Sequence, residues 1–227
     1  MSAVAIIPAK GRSTGVPGKN KRLLAGKPLV LWSIEAAKAS SVSEIIVSTD
    51  DEEIARIARK ASVSVLYRPP ELAKDDTPTE AVISHVLMTL RVAADTTVLL
   101  QPTSPLRMPY YINNMIALLD VAPFDSVLSV TPDRHFYWMG KANRASPMNY
   151  VPRQRPMRQD IVPLFRENGS IYAFRTKGYL EAHCRLFGKV GLYSMDHPWA
   201  GIEIDTENDF QLMDAAMHLF LGAKVPA

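Results

Sequence analysis

Five short apolar runs punctuate the first 130 residues: Val4–Ile7, Ile45–Ser48, Val63–Leu66, Thr97–Leu100 and Ser126–Val130. Each is β-branched and continuous in hydrophobicity, as strands covered on both faces require. Helical patterns lie between them. In DDEEIARIARKA, residues 50–61, the apolar positions Ile54, Ile57, Ala58 and Ala61 recur at the 3.6-residue period of an amphipathic helix. Strands alternating with crossover helices predict an α/β fold with a mostly parallel sheet flanked by helices. With 227 residues, the chain forms one substantial core without needing a second.

Local signals place the helix starts. Asp50 with Glu53 is the expected cap of the 50–61 helix. At 77–80, TPTE offers Thr77 as cap, Pro78 at the first helical position and Glu80 to close the box. The pattern changes near residue 131. Residues 131–165 are rich in Pro, Arg, Met and aromatics and lack a clean period, so they read as an excursion from the sheet, a small subdomain or dimer arm. Regular structure is expected to resume with GSIYAFR at 169–175. A helix near 177–183, a strand near Val190–Tyr193 and a final helix over about 207–220 follow.

Several function classes lose support. The formal net charge is +3 and the cations are mostly scattered, unlike the concentrated stripe of a nucleic-acid binder. Cys184 is alone, which excludes an intrachain disulfide framework and a Cys-rich zinc site. His85, His135, His183 and His197 have no ligand-like spacing. The start lacks the basic and apolar regions of a signal peptide, and no apolar run approaches the ~20 residues of a membrane span, so a cytoplasmic, membrane-free protein is expected.

The chemistry concentrates where the first strand ends, in PAKGRSTGVPGKN at 8–20. In a parallel sheet, ligands bind beyond the carboxyl ends of the strands. Gly11, Gly15 and Gly18 let backbone N–H groups approach an anion, and Lys10, Arg12 and Lys19 add charge, a combination suited to a triphosphate. The loop is neither a Walker A motif nor a dinucleotide GxGxxG turn. A merely solvated basic turn is the alternative on spacing alone.

PAKGRSTGVPGKN, followed by GKPL at 26–29, resembles the nucleotide loop of the CMP-sialic acid synthetase family. The likeness continues through IVSTD (46–50), YRPPELA (67–73), LLQPTSPLR (99–107), RENGSIY (166–172) and IEIDTENDF (202–210), in family order and over nearly the whole chain. The resemblance implies one cytidylyltransferase domain over 1–227 on a Rossmann-like nucleotidyltransferase fold, with 131–165 as a dimerisation and acceptor-site insertion. It implies transfer of CMP from CTP to a nine-carbon 2-keto sugar acid such as N-acetylneuraminate, with Mg²⁺, pyrophosphate release and a homodimer.

Carried over residue by residue, the resemblance assigns phosphate contact and catalysis to Lys19 and Lys10, and nucleotide contact also to Gly11, Arg12, Asn20 and Arg68. Lys10 stands where the family usually has Arg, and Arg12 where it usually has Gly. The acceptor sugar falls to Gln101, Arg158, Arg166, Asn168 and Tyr172. The two arginines offer forks that match a carboxylate. Ser104 and Arg107 serve either the ligand or their own turn. Glu203 and Asp205 are the implied metal ligands, with Asp205 also counted as catalytic, and two hard oxygen donors beside phosphates suit Mg²⁺. Asp205 can alternatively cap the last helix, a role Thr206 is able to take instead. Where the family carries paired aromatics, this chain has Arg185 and Leu186, which keeps legionaminate and pseudaminate open as acceptors. Kdo and a non-enzymatic nucleotide-binding role rank below them.

Overall fold

The predicted strands become one sheet in the computed structural model, which describes residues 2–197 and 199–222. The chain runs through β1 (Ala3–Pro8), β2 (Leu23–Leu24), β3 (Lys27–Pro28), α1 (Leu29–Lys38), β4 (Glu44–Thr49), α2 (Glu52–Lys60) and β5 (Ser64–Tyr67). It continues with α3 (Thr79–Thr89), β6 (Thr96–Leu100), α4 (Pro109–Val121), β7 (Ser126–Asp133), β8 (Trp138–Lys141) and β9 (Arg144–Pro147). Then come β10 (Leu164–Arg175), α5 (Thr176–Ala182), β11 (Val190–Ser194) and α6 (Glu207–Gly222).

The main sheet has the order β11-β7-β10-β6-β1-β4-β5. Every neighbouring pair is parallel except those made by β10, which runs antiparallel to both β6 and β7. Side-chain alternation divides β1 between two cores. Ala5 and Ile7 join Val30 and Ile34 of α1, Ile54 and Ala58 of α2 and Ile112 and Met115 of α4. Val4 and Ile6 join Ile83 and Val86 of α3 and Tyr179 of α5 on the other face.

A third cluster brings together segments remote in sequence. Val16 of the first loop, Leu106 of the loop after β6 and Ile204 pack on Phe210, Met213 and Met217 of α6. The chelating fork of Arg22 on Glu207, at 2.6 and 2.7 Å, ties the first loop to the start of α6 as well. Thus α6 holds three loops together at one end of the sheet.

Two caps differ from expectation. Asp51 rather than Asp50 caps α2, accepting from the N–H groups of Glu53 and Ile54. Asp50 accepts instead from Gly11 N–H at 2.9 Å. Helix α3 begins at Thr79 after Pro78, with no side-chain cap, and the Thr77 hydroxyl donates to Glu71 O. Pro78 itself is extended, at φ −65° and ψ 145°, so the start falls one residue later than expected. At α6 the Thr206 cap is present: Thr206 Oγ1 accepts from Asp209 N–H while Asp209 Oδ2 accepts from Thr206 N–H.

The excursion is more regular at its base than its composition suggests. Residues 131–133 and 164–167 extend β7 and β10 as a paired ribbon, and a separate hairpin of β8 and β9 follows the first of these. Among the described residues no helix is long and apolar enough to cross a membrane, and Cys184 is a free, exposed thiol.

Candidate active site

The chain moves outward from β1 to β4 and β5, then returns to the other side of β1 as β6. In open α/β sheets such a reversal opens a crevice beyond the strand ends. The loops after β1 and β6 border it, so topology alone brings the basic loop beside the Gln101 loop.

The basic loop is fixed by small, specific contacts. Gly18 sits at φ 63°, a left-handed conformation that favours glycine, and starts the turn Lys19–Lys21. Gly15 lies directly against the Asp205 backbone, and a Cβ there would overlap the Asp205 carbonyl oxygen. Asn20 is buried and donates to Lys10 O at 2.9 Å, while its own Oδ1 is buried without a partner.

Lys19 and Asp205 meet at this junction. Lys19 Nζ donates to Ile204 O at 2.5 Å and stands 3.6 Å from Asp205 Oδ1. Burial pulls the Lys19 ammonium below the usual lysine range, and Asp205 partly restores it. Glu203, half-buried, has its Oε1 2.7 Å from where a Gly169 Cβ would be. Burial and the nearby Asp205 push the Glu203 carboxyl upward. Because Thr206 caps α6, the Asp205 carboxylate is left to face Lys19. Two carboxylates beside a lysine fit the protein half of a Mg²⁺ shell that phosphate oxygens complete. Among the described residues no group of three or more His, Cys, Asp or Glu side chains is arranged to hold a metal alone.

Arg68 forms the far wall. It is buried, donates to Ser48 O at 2.7 Å and has an unpartnered Nε. Burial draws it below the usual arginine range, with Asp50 opposing. Arg12, Asp50, Arg68, Lys74 and Asp75 line an open cleft of ≈ 470 Å³. Lys10 and Thr14 both bond the Asp75 carboxylate.

Gln101 is half-buried, and its side-chain amide makes no hydrogen bond among the described residues. Arg107 supports it from below. Its guanidinium donates to the carbonyls of Gln101 and Ser104, and it is buried beside no carboxylate, so desolvation draws it down to about 9. Of the two roles open to Arg107, the turn takes Nε and Nη2, while Nη1 is buried without a partner.

The acceptor residues divide. Arg166 is exposed and donates to Gly201 O at 3.0 Å, which sets it beside the Glu203 segment. Asn168 is buried, with Oδ1 accepting from Ser129 Oγ and Ser170 N–H and Nδ2 against Met195 Sδ. Tyr172 is also buried, its hydroxyl donating to Glu167 and its ring under Arg185 at 4.5 Å. Both side chains are thus engaged by the fold. Arg158 stands exposed on the turn Arg158–Asp160, and no hydrogen bond or ion pair joins it to the Arg166 cluster among the described residues.

A family model described as cytidylyltransferase matches residues 4–189, from β1 to the approach of β11. The chain belongs to the cytidylyltransferase family. N-acylneuraminate cytidylyltransferase B of Danio rerio is 34% identical over 214 residues, covering 92% of this chain and 50% of the relative. CMP-N,N'-diacetyllegionaminic acid synthase of Legionella pneumophila is 33% identical over 229 residues, covering 96% of this chain and 97% of the relative. The chain spans about half the length of the N-acylneuraminate cytidylyltransferases it matches. A solved CMP:2-keto-3-deoxy-manno-octonic acid synthetase, complexed with CTP, shares the fold at TM-score 0.72 and 18% identity, over 97% of this chain and 100% of that one.

Three site neighbours escaped the sequence reading: Asp50, Asp75 and Glu167. The acidic pair in AKDDTP and the Glu within RENG were visible. Their partners are 39, 65 and 5 residues away respectively, and no local rule pairs them.

Proposed function

We propose that this chain transfers CMP from CTP to a nine-carbon 2-keto sugar acid, with N-acetylneuraminate as the first candidate, and releases pyrophosphate. The observation that carries the reading is the Lys19–Asp205 junction, where a partly buried cation from the basic loop faces a carboxylate pair at the crevice. The family membership and the relatives' names support it.

The anomeric hydroxyl of the acceptor attacks the α-phosphorus. A new O–P bond forms as the bond to pyrophosphate breaks, and the hydroxyl proton leaves. Catalysis of this kind is mainly alignment and charge stabilisation. Lys19 supplies positive charge near the transferred group, and Lys10, Gly11 and Arg12 hold the outer phosphates. Asn20 and Arg68 hold the nucleoside end. Their buried, unpartnered Oδ1 and Nε suit a ligand with both donors and acceptors, as cytosine has. Gln101 offers its free amide to the sugar hydroxyls, while Arg166 and Arg158 offer forks to the sugar carboxylate. Glu203 and Asp205 would hold Mg²⁺, which supplies charge neutralisation on the triphosphate.

A diacetamido nine-carbon acid is the second reading. The Legionella relative, a CMP-N,N'-diacetyllegionaminic acid synthase by name, is 33% identical over 96% of this chain, on a par with the N-acylneuraminate relatives. The arm completes the proposal: a homodimer buries its apolar side chains. Pyrophosphate release measured with CTP, ATP, GTP and UTP and a 2-keto sugar acid tests the reading. Release with CTP well above the other nucleotides is expected. Equal turnover with ATP removes the cytosine assignment, and no release with any sugar acid removes the enzyme reading.

A further inference from the structure

Strand β10 carries a feature that the proposed reaction has not used. Its pairing with β7 shifts register between Glu167 and Tyr172, so the strand bulges there. A bulge re-aims side chains at the end of a sheet. Here it lets Tyr172, buried on the α3 and α5 face, reach back and donate its hydroxyl to the exposed Glu167 carboxylate.

Tyr172 is itself clamped. Arg185 lies over its ring at 4.5 Å, and Arg185 forms an ion pair with Glu80 in the first turn of α3. The series Glu80, Arg185, Tyr172, Glu167 therefore runs from the outer helix layer to the crevice. It ends beside the acceptor edge. Arg166 precedes Glu167 and bonds Gly201 O, while Gly169 lies against the Glu203 carboxylate. Arg166 and Glu167 both act on the charge of Glu203, in opposite senses.

We propose that Glu167 is an acceptor-recognising residue, its carboxylate taking hydrogen bonds from hydroxyl or amide N–H groups of the sugar acid, and that Arg185 and Glu80 are positioning residues acting on it through Tyr172. Arg166 and Glu167 then form an ordered pair of opposite sign. The guanidinium suits the sugar's carboxylate, and the neighbouring carboxylate selects acids rich in donors. An exposed carboxylate that forms no direct salt bridge keeps acceptor capacity for hydrogen-bond donors, and charge-assisted bonds of this kind are strong. The Tyr172 hydroxyl leaves the second oxygen of Glu167 available. Arg185 rigidifies this arrangement from behind, which matters because a positioning error at a bound substrate is costly.

This inference rests on the cytidylyltransferase reading of the acceptor side. The test is steady-state kinetics of the full chain with CTP and its best sugar acid, for Glu167→Ala, Arg185→Met and Arg185→Lys, with melting temperatures in parallel. KM for the sugar acid is expected to rise about tenfold in E167A and severalfold in R185M. KM for CTP stays within about twofold, and R185K recovers part of the loss. A sugar-acid KM unchanged in E167A overturns the proposal, as does a parallel rise in both KM values. An R185M variant that only melts earlier makes Arg185 a packing residue and overturns its positioning role. Wild-type protein inactive with every sugar acid removes the underlying reading itself, a result distinguishable from these because it appears before any substitution.

Discussion

Lys19 Nζ stands 3.6 Å from Asp205 Oδ1, although 185 residues separate Lys19 from Ile204, whose carbonyl it also bonds. The contact joins the basic loop after β1 to the carboxylate segment. Asp205 is the better-placed of the two carboxylates, since Glu203 is half-buried against Gly169 and burial disfavours its ionised form. Asp205→Ala is therefore expected to lower kcat at saturating Mg²⁺ at least tenfold more than Glu203→Ala, with both variants folded by circular dichroism. A ligand that aligns phosphates contributes in the transition state as well as in binding. Wild-type turnover in D205A contradicts the assignment.

Gly15 tests the same junction sterically. A Cβ at this position meets the Asp205 carbonyl, a backbone atom held by the packing of Ile204 on α6. Gly15→Ala should push the loop away from the carboxylates and lower kcat/KM for CTP by about 10²-fold, the scale of a displaced reacting group. Its melting temperature should fall as well, because the neighbouring Val16 packs on α6 and moves with the loop. Near-normal kcat/KM in G15A would show that the loop does not need this approach.

Asp51 couples the loop to α2. It caps the helix and pairs with Lys21 at 2.8 Å. Burial alone would raise its pKa, but the Lys21 hydrogen bond and the N–H groups of Ile54 and Glu53 outweigh it, leaving the carboxyl below its usual 3.8. A depressed folded pKa means the stabilisation is complete above the unfolded value and disappears as pH falls through the folded one. Asp51→Ala should cost about 1–2 kcal/mol at neutral pH, the range of a lost cap. That cost should shrink below about pH 4, as urea denaturation of both proteins across pH would show. A cost independent of pH would assign it to packing.

The arm bears on assembly. Trp138, Met139 and Phe165 are 53%, 63% and 48% exposed, and Met148 and Met157 are exposed as well. Apolar surface of this kind is usually buried by a twofold partner. Light scattering on dilution is expected to show a dimer that dissociates more readily in Trp138→Ala. A monomer that is fully active at micromolar concentration contradicts the dimer.

The strands of the first 130 residues were legible because short β-branched runs have few other uses: four of the five fall within one residue of their observed bounds, and the fifth starts at Ser126 as expected but runs on to Asp133. The Thr206 cap was legible too, because a Thr three residues before an acidic side chain is a local capping signal. Tertiary contacts decided the remainder. Local chemistry cannot separate Asp50 from Asp51 as a cap, and the choice follows from Gly11 taking one of them. Residues 164–167 lack a period of their own and become strand only by pairing with β7. Asn168 and Tyr172 were marked for the sugar by motif; in the fold Asn168 is engaged by buried Ser129 and Ser170, while the buried Tyr172 donates its hydroxyl to the exposed Glu167 carboxylate.

The central claim is cytidylyl transfer to a nine-carbon acid. Its most direct measurement is kcat/KM with CTP for N-acetylneuraminate, legionaminate, pseudaminate, deaminated neuraminate and Kdo. The account predicts that a nine-carbon acid exceeds Kdo by at least tenfold, about 1.4 kcal/mol of transition-state discrimination, with N-acetylneuraminate leading. A tenfold lead for legionaminate or pseudaminate selects the second reading and keeps the reaction. Kdo turned over fastest, or no CMP conjugate formed with any of the five, would contradict it.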